Sequence, residues 1–380
     1  MLQSGAAGDC ADRNMKSVHF LISPNCNLRC KYCYQLEGIP QEPSALDYHS
    51  QSRTKATAAV IDSFAEFCHK NSVEEVVVFG GEPLFYPDLF QHLVESLYAR
   101  VTGIEVGAFT NGTLITEEIM RLFERLPISV LLSLDGGRER HDRMRGGFDR
   151  ISRWFDRLAG LQRVRVAVQA GEVVGLYDNV SFIWSLGLRD VYVNVLESYG
   201  WYAPSDVLQF EQEYERIIQG MLSGQGEIRC ALALHEMLKQ SVQRHECGIT
   251  GEGLACDWHG LLYPCHKAME IGPQLAIGDI YKGLDEDLSR KIRALISEKA
   301  YGSPDAAKFP LVSFCPISTY QKHGHFGGEW NKEFCELINR KAKLVSKYHY
   351  EIEEYQGRKN KRASPVLELG AKAVHPRFAS

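Results

Sequence analysis

Apolar residues along the first part of the chain follow two alternating rhythms. Runs such as Glu75–Phe79 (EVVVF) and Ser129–Leu134 (SVLLSL) are short and almost continuously apolar, as strands buried on both faces tend to be. The same reading gives strands at His19–Ser23, Glu105–Phe109, Arg165–Gln169 and Val191–Leu196. Between them, Arg53–Asn71 sets Ala58, Ile61, Phe64 and Ala65 at helical spacing, and Asp88–Arg100 does the same with Phe90, Leu93, Leu97 and Tyr98. Thr116, followed by Glu117 and Glu118, marks a capped helix start, and a further helix falls around Gln209–Met221. Six strand–helix units in succession predict a right-handed parallel repeat. The expected fold is α/β, a partial (β/α)6 TIM-like barrel whose active site sits at the C-terminal ends of its strands.

After about Gln240 the texture changes. Cysteine and glycine become frequent, and long helices are few until Lys332–Tyr348. We therefore expect an N-terminal tail over 1–14, the barrel over 15–225, a linking helix over 226–245, a small C-terminal metal-cluster domain over 246–348 and a tail over 349–380. The basic run Arg358–Arg362 reads as part of a solvated tail.

Composition narrows the functional classes. With 380 residues, 44% of them hydrophobic, the chain can bury a sizeable core. A formal net charge of −5 gives no global attraction to nucleic acid or to anionic membranes. Met1 to Met15 lacks the apolar stretch of a signal peptide, and no run approaches the roughly 18 apolar residues of a membrane span. A soluble cytoplasmic protein is the expectation. Eleven cysteines without an export signal point to metal rather than to disulfides. Cys10, Cys68 and Cys230 stand apart from the others, and Cys68 sits on a helical pattern that suits core packing.

The loop after the first strand reads Pro24-Asn25-Cys26-Asn27-Leu28-Arg29-Cys30-Lys31-Tyr32-Cys33-Tyr34. Three thiolates in one tight loop leave one iron of a four-iron cluster open to a small-molecule ligand. A structural zinc would want a fourth protein ligand, and no Cys or His follows within easy reach; a zinc knuckle is the competing explanation. Strand two ends in Gly80-Gly81-Glu82-Pro83, where the glycines let backbone approach a ligand and the carboxylate can accept from an ammonium group. Strand three ends in Thr110-Asn111-Gly112. Strand four ends in Ser133-Leu134-Asp135-Gly136, followed by His141, Asp142 and Arg145.

The Cys-x3-Cys-x2-Cys loop, with an aromatic before its last cysteine, resembles that of the radical SAM superfamily. The resemblance implies that Cys26, Cys30 and Cys33 hold a [4Fe–4S] cluster whose open iron takes the amino and carboxylate groups of S-adenosylmethionine. It implies reductive C–S cleavage to a 5′-deoxyadenosyl radical, fed by a reductant such as flavodoxin or ferredoxin. It also implies that Tyr32 packs near the adenine and that Gly80, Gly81 and Glu82 contact the amino group. Asn111 is read either as a cofactor contact or as part of a glycine turn. The Ser133-x-Asp135-Gly136 … His141-Asp142-x-x-Arg145 segment resembles that of the peptide-modifying branch. Ser133 is then a ribose or carboxylate contact and Arg145 the partner of the cofactor carboxylate; His141 and Asp142 either share in this or only fix their loop. Gln169 and Glu197 close the last two strands without an assigned role.

The C-terminal cysteines give a looser pattern. Twelve residues separate Cys247 from Gly260 and four separate Gly260 from Cys265. Leu254–Cys265 reads as a β-hairpin turning near Trp258–Gly260, followed by Ile277-Gly278-Asp279-Ile280. This resembles the opening of a SPASM or twitch domain, which carries auxiliary [4Fe–4S] clusters. The dense cysteine block that ends the full pattern is missing; only Cys315 and, after nineteen residues, Cys335 follow. One auxiliary [4Fe–4S] cluster on Cys247, Cys265, Cys315 and Cys335 is the simpler reading, with Cys256 a core residue or a fifth candidate and a single zinc as the competing occupant. No catalytic acid or base stands out; His266, directly after Cys265, is the one candidate. The expected substrate is a ribosomal peptide or protein that is crosslinked, epimerised or oxidised. A small molecule (a sugar, nucleoside or amino acid) is the alternative, and a non-catalytic iron–sulfur scaffold or electron-transfer protein the more remote one.

Overall fold

The structure is a computed structural model and describes residues 17–33, 35, 55–161, 164–169, 172–196, 202–239, 249, 253–301, 315–326 and 332–362. The expected tail over 1–14, Cys10, Glu197 and Cys247 lie outside these residues.

The parallel repeat is present. Strand β1 (Ser17–Leu21) is followed by helix α1 (Ala58–Lys70), β2 (Glu75–Phe79) by α2 (Pro87–Arg100), and β3 (Glu105–Thr110) by α3 (Glu117–Arg125). Strand β4 (Ser129–Ser133) leads into three short helices, α4 (Arg138–Met144), α5 (Phe148–Ser152) and α6 (Phe155–Gly160). Then come β5 (Val164–Gln169), α7 (Leu176–Ser185), β6 (Asp190–Asn194), α8 (Pro204–Leu222), the two-residue β7 (Glu227–Ile228) and α9 (Arg229–Lys239). Local chemistry sets several boundaries. The Thr57 hydroxyl accepts from Val60 N and the Thr116 hydroxyl from Ile119 N, each closing a helix start. Along β1 and β2, Val18, Phe20, Val76 and Val78 face the helical layer, where Phe20 meets the Phe64 ring 4.3 Å away. His19, Leu21, Val77 and Phe79 alternate onto the opposite, inner face.

The C-terminal region was expected as a separate small domain, but its strands continue the barrel sheet. Strand β8 (Ala255–Cys256) pairs in parallel with β1, placing Ala255 opposite His19 and Cys256 opposite Phe20. Strands β9 (Leu261–Tyr263), β10 (Gly278–Asp279) and β11 (Gly283–Leu284) follow in antiparallel order. The sheet therefore runs β11-β10-β9-β8-β1-β2-β3-β4-β5-β6-β7. Among the described residues its end strands do not pair, so the barrel is incomplete. The cause is the free edge of β1: an unpaired row of N–H and C=O groups needs a partner, and the hairpin supplies one, with His19 N donating to Leu254 O at 2.9 Å.

Two expectations about the C-terminal half need correcting. A sixteen-residue helix, α10 (Glu286–Tyr301), occupies a stretch read as poor in long helices. Its own sequence is rich in helix formers and opens on Glu286 and Asp287, which suit a helix N-terminus; the glycines and cysteines around it hid that pattern. After α11 (Pro316–His323) and α12 (Lys332–Lys347), the chain forms another helix, α13 (His349–Arg362), where a tail was expected. Both terminal helices dock on the barrel's helices. Lys347 Nζ lies 2.6 Å from Glu215 of α8, Arg340 pairs with Glu211, and Lys359 Nζ lies 2.6 Å from Glu227. Among the described residues, no helix is long and apolar enough to cross a membrane.

Candidate active site

The cysteine loop leaves the end of β1 and is shaped by backbone contacts. Asn25 N donates to the Ser23 hydroxyl at 3.1 Å, and Cys33 N to Cys30 O at 3.1 Å. The loop that follows β2 lies directly against it. Gly81 N donates to Ser23 O at 3.0 Å and Glu82 N to Asn25 O at 2.8 Å. A Cβ added at Gly81 would stand 2.3 Å from the carbonyl oxygens of both Pro24 and Asn25, and one at Gly80 would stand 2.5 Å from Ser23 O. The two glycines were read as making room for a ligand. What they make room for here is the backbone of the cysteine loop.

Glu82 is 1% exposed. Its carboxylate accepts from Thr110 Oγ1 at 2.7 Å, Asn111 N at 2.7 Å and Leu84 N at 3.1 Å. Burial pushes its pKa up to about 7 against these donors. Asn111 extends the brace to the cysteines. Its Nδ2 donates to Asn27 Oδ1 at 3.1 Å and lies 3.9 Å from Cys26 Sγ, while Asn27 Nδ2 donates to Thr113 Oγ1 at 2.7 Å. Gly112 holds φ +74° with Leu132 and Ile151 packed where a Cβ would go, so the turn needs glycine. Asn27, Thr110 and Thr113 were not singled out from sequence; nothing in their spacing marks them.

A second brace comes from β4. Asp135 is fully buried and accepts from Arg145 Nε at 3.0 Å and from the Tyr32 hydroxyl. The Arg145 side chain is 8% exposed. Its guanidinium lies 5.0 Å from the centre of the Tyr32 ring, and its Nη1 is 3.7 Å from Cys30 Sγ. Arg145 was expected as the partner of the cofactor carboxylate; within the chain it pairs with Asp135. Burial raises the Tyr32 phenol well above its usual range, so it stays a donor. His141 and Asp142 fix the loop. Asp135 N donates to His141 Nδ1 at 3.3 Å, and Phe148 N to Asp142 Oδ1 at 2.9 Å. Ser133 ends β4 half-buried on the inner face.

Cys26, Cys30 and Cys33 are all half-buried. Leu28 N donates to Cys26 Sγ at 3.4 Å. Burial, and then the charge of Glu82, pushes the Cys26 thiol up to about 12; burial raises Cys30 also, with Arg145 opposing. Bare Cys26 and Cys30 thiols would stay protonated here. N–H donors already aim at two of the sulfurs, the pattern of ligands that become thiolates when a metal centre draws on them. The donor set thus fits a cluster.

The C-terminal cysteines occupy several elements. Cys265 follows β9 and is half-buried, Cys315 precedes α11 and is 3% exposed, and Cys335 lies fully buried on α12. Cys256 is fully buried in β8, where burial first, then Asp257 and Cys68, raise its thiol well above the usual range. His266 reaches the inner face of the barrel. Its Nδ1 lies 3.2 Å from Nδ1 of His19, the rings stack at 5.1 Å, and Phe79 sets its edge against both. Burial holds His19 down at about 4 and His266 well below its usual value, so the pair is neutral at pH 7. His19 went unnoticed in the sequence because only the β1–β8 pairing brings it to His266.

Comparison with known proteins agrees with this arrangement. Residues 20–181 match the Radical SAM superfamily. The Fe-coproporphyrin III synthase of Methanosarcina barkeri (strain Fusaro / DSM 804) is 33% identical over 127 residues, covering 33% of this chain and 28% of its own. The cysteine-type anaerobic sulfatase-maturating enzyme of Clostridium novyi (strain NT) is 31% identical over 154 residues, covering 36% of this chain and 39% of its own. The chain thus spans well under half the length of either curated relative. The structure described as native anSMEcpe with bound AdoMet and Cp18Cys peptide shares the fold, with a TM-score of 0.66 and 18% identity, covering 91% of this chain and 99% of that one. The cysteine loop, the two braces and the strand ends from β1 to β5 all fall within the matched segment, and residues 20–181 are therefore a radical SAM domain.

Proposed function

We propose that this chain is a radical SAM enzyme and that Cys26, Cys30 and Cys33 carry its cluster. The observation that carries the reading is the cysteine loop itself, clamped by Glu82 and Asn111 on one side and by Asp135–Arg145 on the other. When bound, the [4Fe–4S] cluster and S-adenosylmethionine supply one-electron cleavage of a C–S bond and a 5′-deoxyadenosyl radical. The chain's own residues do the rest. Arg145 puts a fixed positive charge beside Cys30, stabilising the thiolate and electron-rich states of whatever it ligates. Asp135 holds that guanidinium in place and keeps Tyr32 oriented. Glu82 stays out of solvent and ties the ends of β2 and β3 together. The braced loop keeps the three sulfurs in a fixed array, which limits rearrangement when the metal centre changes charge.

We place an auxiliary [4Fe–4S] cluster on Cys247, which lies outside the described residues, and on Cys265, Cys315 and Cys335, with Cys256 as a packing residue. His266 and His19, neutral and facing the barrel interior, are the candidate pair for accepting a proton from a substrate. A peptide or protein substrate is the favoured class, supported by the sulfatase-maturating relative and by the fold shared with a peptide-bound structure. The coproporphyrin-synthase relative supports a second reading, a small-molecule substrate.

The test is anaerobic. The cluster-loaded, reduced protein is mixed with S-adenosylmethionine, and 5′-deoxyadenosine is measured with and without candidate peptides. Formation of 5′-deoxyadenosine that disappears in Cys30→Ala supports the reading. Absence of product with the first cluster intact and plausible substrates present sinks it in favour of an electron-transfer or scaffold role.

A further inference from the structure

Away from the cysteines, α9 and α13 bring two histidines and a glutamate together. His235 on α9 is 1% exposed. Its Nε2 lies 2.9 Å from Nδ1 of His349, the first residue of α13. Glu353 follows His349 by one helical turn, on the same face. One ligand atom from each of the three falls within 4.8 Å of the others, the only such group of His, Cys, Asp or Glu among the described residues.

A plain hydrogen bond between the two rings leaves a buried nitrogen unsatisfied on either tautomer. If His235 Nε2–H donates, its Nδ1 is a buried lone pair with no donor. If His349 donates, His235 Nδ1–H is a buried donor with no acceptor. Nδ1 of His235 makes no hydrogen bond among the described residues, and the Glu236 carboxylate stands 3.7 Å away, beyond hydrogen-bond reach. A cation between the rings removes the competition of the two facing nitrogens for one proton. Both facing nitrogens then present lone pairs, and the proton of His235 sits on Nδ1, toward Glu236. A side-chain rotation of the half-exposed Glu236 would close that 3.7 Å gap and give the arrangement in which a carboxylate orients a metal-bound imidazole.

We propose that His235, His349 and Glu353 form a divalent-cation site, suited to zinc, that fastens α13 to α9. Two imidazoles, one carboxylate and a water make a tetrahedral set that zinc accepts. Zinc–nitrogen bonds of about 2.0–2.1 Å would set the two ring nitrogens roughly 3.3 Å apart, a slight widening of the 2.9 Å contact. Glu353 now pairs with Lys239 at 3.0 Å, so the ion displaces an ammonium group from that carboxylate. Lys239 is thereby a built-in competitor. The proposal stands apart from the reaction on the cysteine loop.

The full chain, with its clusters loaded and kept anaerobic, is given one equivalent of zinc chloride and passed through a desalting column. Zinc content and zinc K-edge absorption are then read, which iron does not obscure. The expected result is one retained zinc per chain with only nitrogen and oxygen neighbours, imidazole among them. His349→Gln and Glu353→Gln, both on a surface helix, lose that zinc. Glu236→Gln weakens it about 10-fold or more, and Lys239→Met tightens it. Zinc raises the melting temperature of the wild type but not of His349→Gln. Equal zinc in the wild type and His349→Gln, or sulfur neighbours at about 2.3 Å marking cysteine capture, would overturn the proposal.

Discussion

The two cysteine regions proposed to hold clusters are built in opposite ways. Cys26, Cys30 and Cys33 sit on one loop, and their surroundings come from the ends of β1, β2, β3 and β4. Cys265, Cys315 and Cys335 come from a hairpin end, the start of a helix and the first turn of another. The first array depends on a few backbone hydrogen bonds and two buried carboxylates. The second depends on the whole C-terminal half docking correctly. A local array can be damaged at one point and leave the rest intact, whereas a dispersed one fails with the packing of its helices.

That contrast can be broken most directly by replacing Cys26, Cys30 and Cys33 with Ala. We expect 5′-deoxyadenosine formation to vanish while about four irons per chain persist on the C-terminal cysteines, measured as iron and sulfide content. Loss of all iron would mean that the two regions are one unit. Next in size is Arg145→Met, which removes the guanidinium partner of the buried Asp135 and leaves the Tyr32 hydroxyl against it. A cost of about 3–5 kcal/mol is expected in anaerobic urea unfolding, with part recovered in the Asp135→Asn double variant.

The seam between the regions gives the third test. His19 has a depressed folded pKa of about 4 against an ordinary value of 6.5. The unfolded chain therefore binds the proton first as pH falls. Stability from this group is fully present above pH 6.5 and is lost as pH falls toward 4, by at most about 3 kcal/mol. His266 faces the same ring and adds to the slope in the same direction. In His19→Phe the difference between pH 7.5 and pH 4.5 should shrink; an unchanged slope would remove His19 from the account. Smallest is Gly81→Ala, expected to cost about 2 kcal/mol through its clash with Pro24 and Asn25 and to loosen iron at the first loop only. Gly160→Ala, with nothing within 4 Å of the added methyl, should leave both stability and iron unchanged.

Much of the first region was legible because its signals are local. The apolar runs located the six strands to within a residue or two, and cysteine spacing located the loop. Asp135 and Arg145 stood in the sequence, but their pairing did not, since it needs the turn after β4 to fold α4 back. The glycines stood out in the sequence, but their packing against the backbone of Ser23–Asn25 did not, because sequence says that backbone is approached and not by what. The second region was harder to read for the complementary reason. Its hairpin followed from local pattern, but the pairing of β8 with β1 joins residues more than two hundred positions apart. The same distance hid the meeting of His19 with His266. Helix α13 was missed because its polar surface and basic end resemble a tail; docking against α9, and not an apolar stripe alone, holds it.

The parallel pairing of β8 with β1 bears on how this protein can be shortened. A truncation placed after α9, where composition suggests a boundary, would strip the barrel's first strand of its neighbour on one edge, leaving only β2 beside it. The exposed ladder would run along His19 and Phe20, just below the cysteine loop, and would recruit another chain or fray. A minimal fragment that keeps this sheet edge covered therefore has to retain the hairpin through β9, whatever becomes of the C-terminal cysteines.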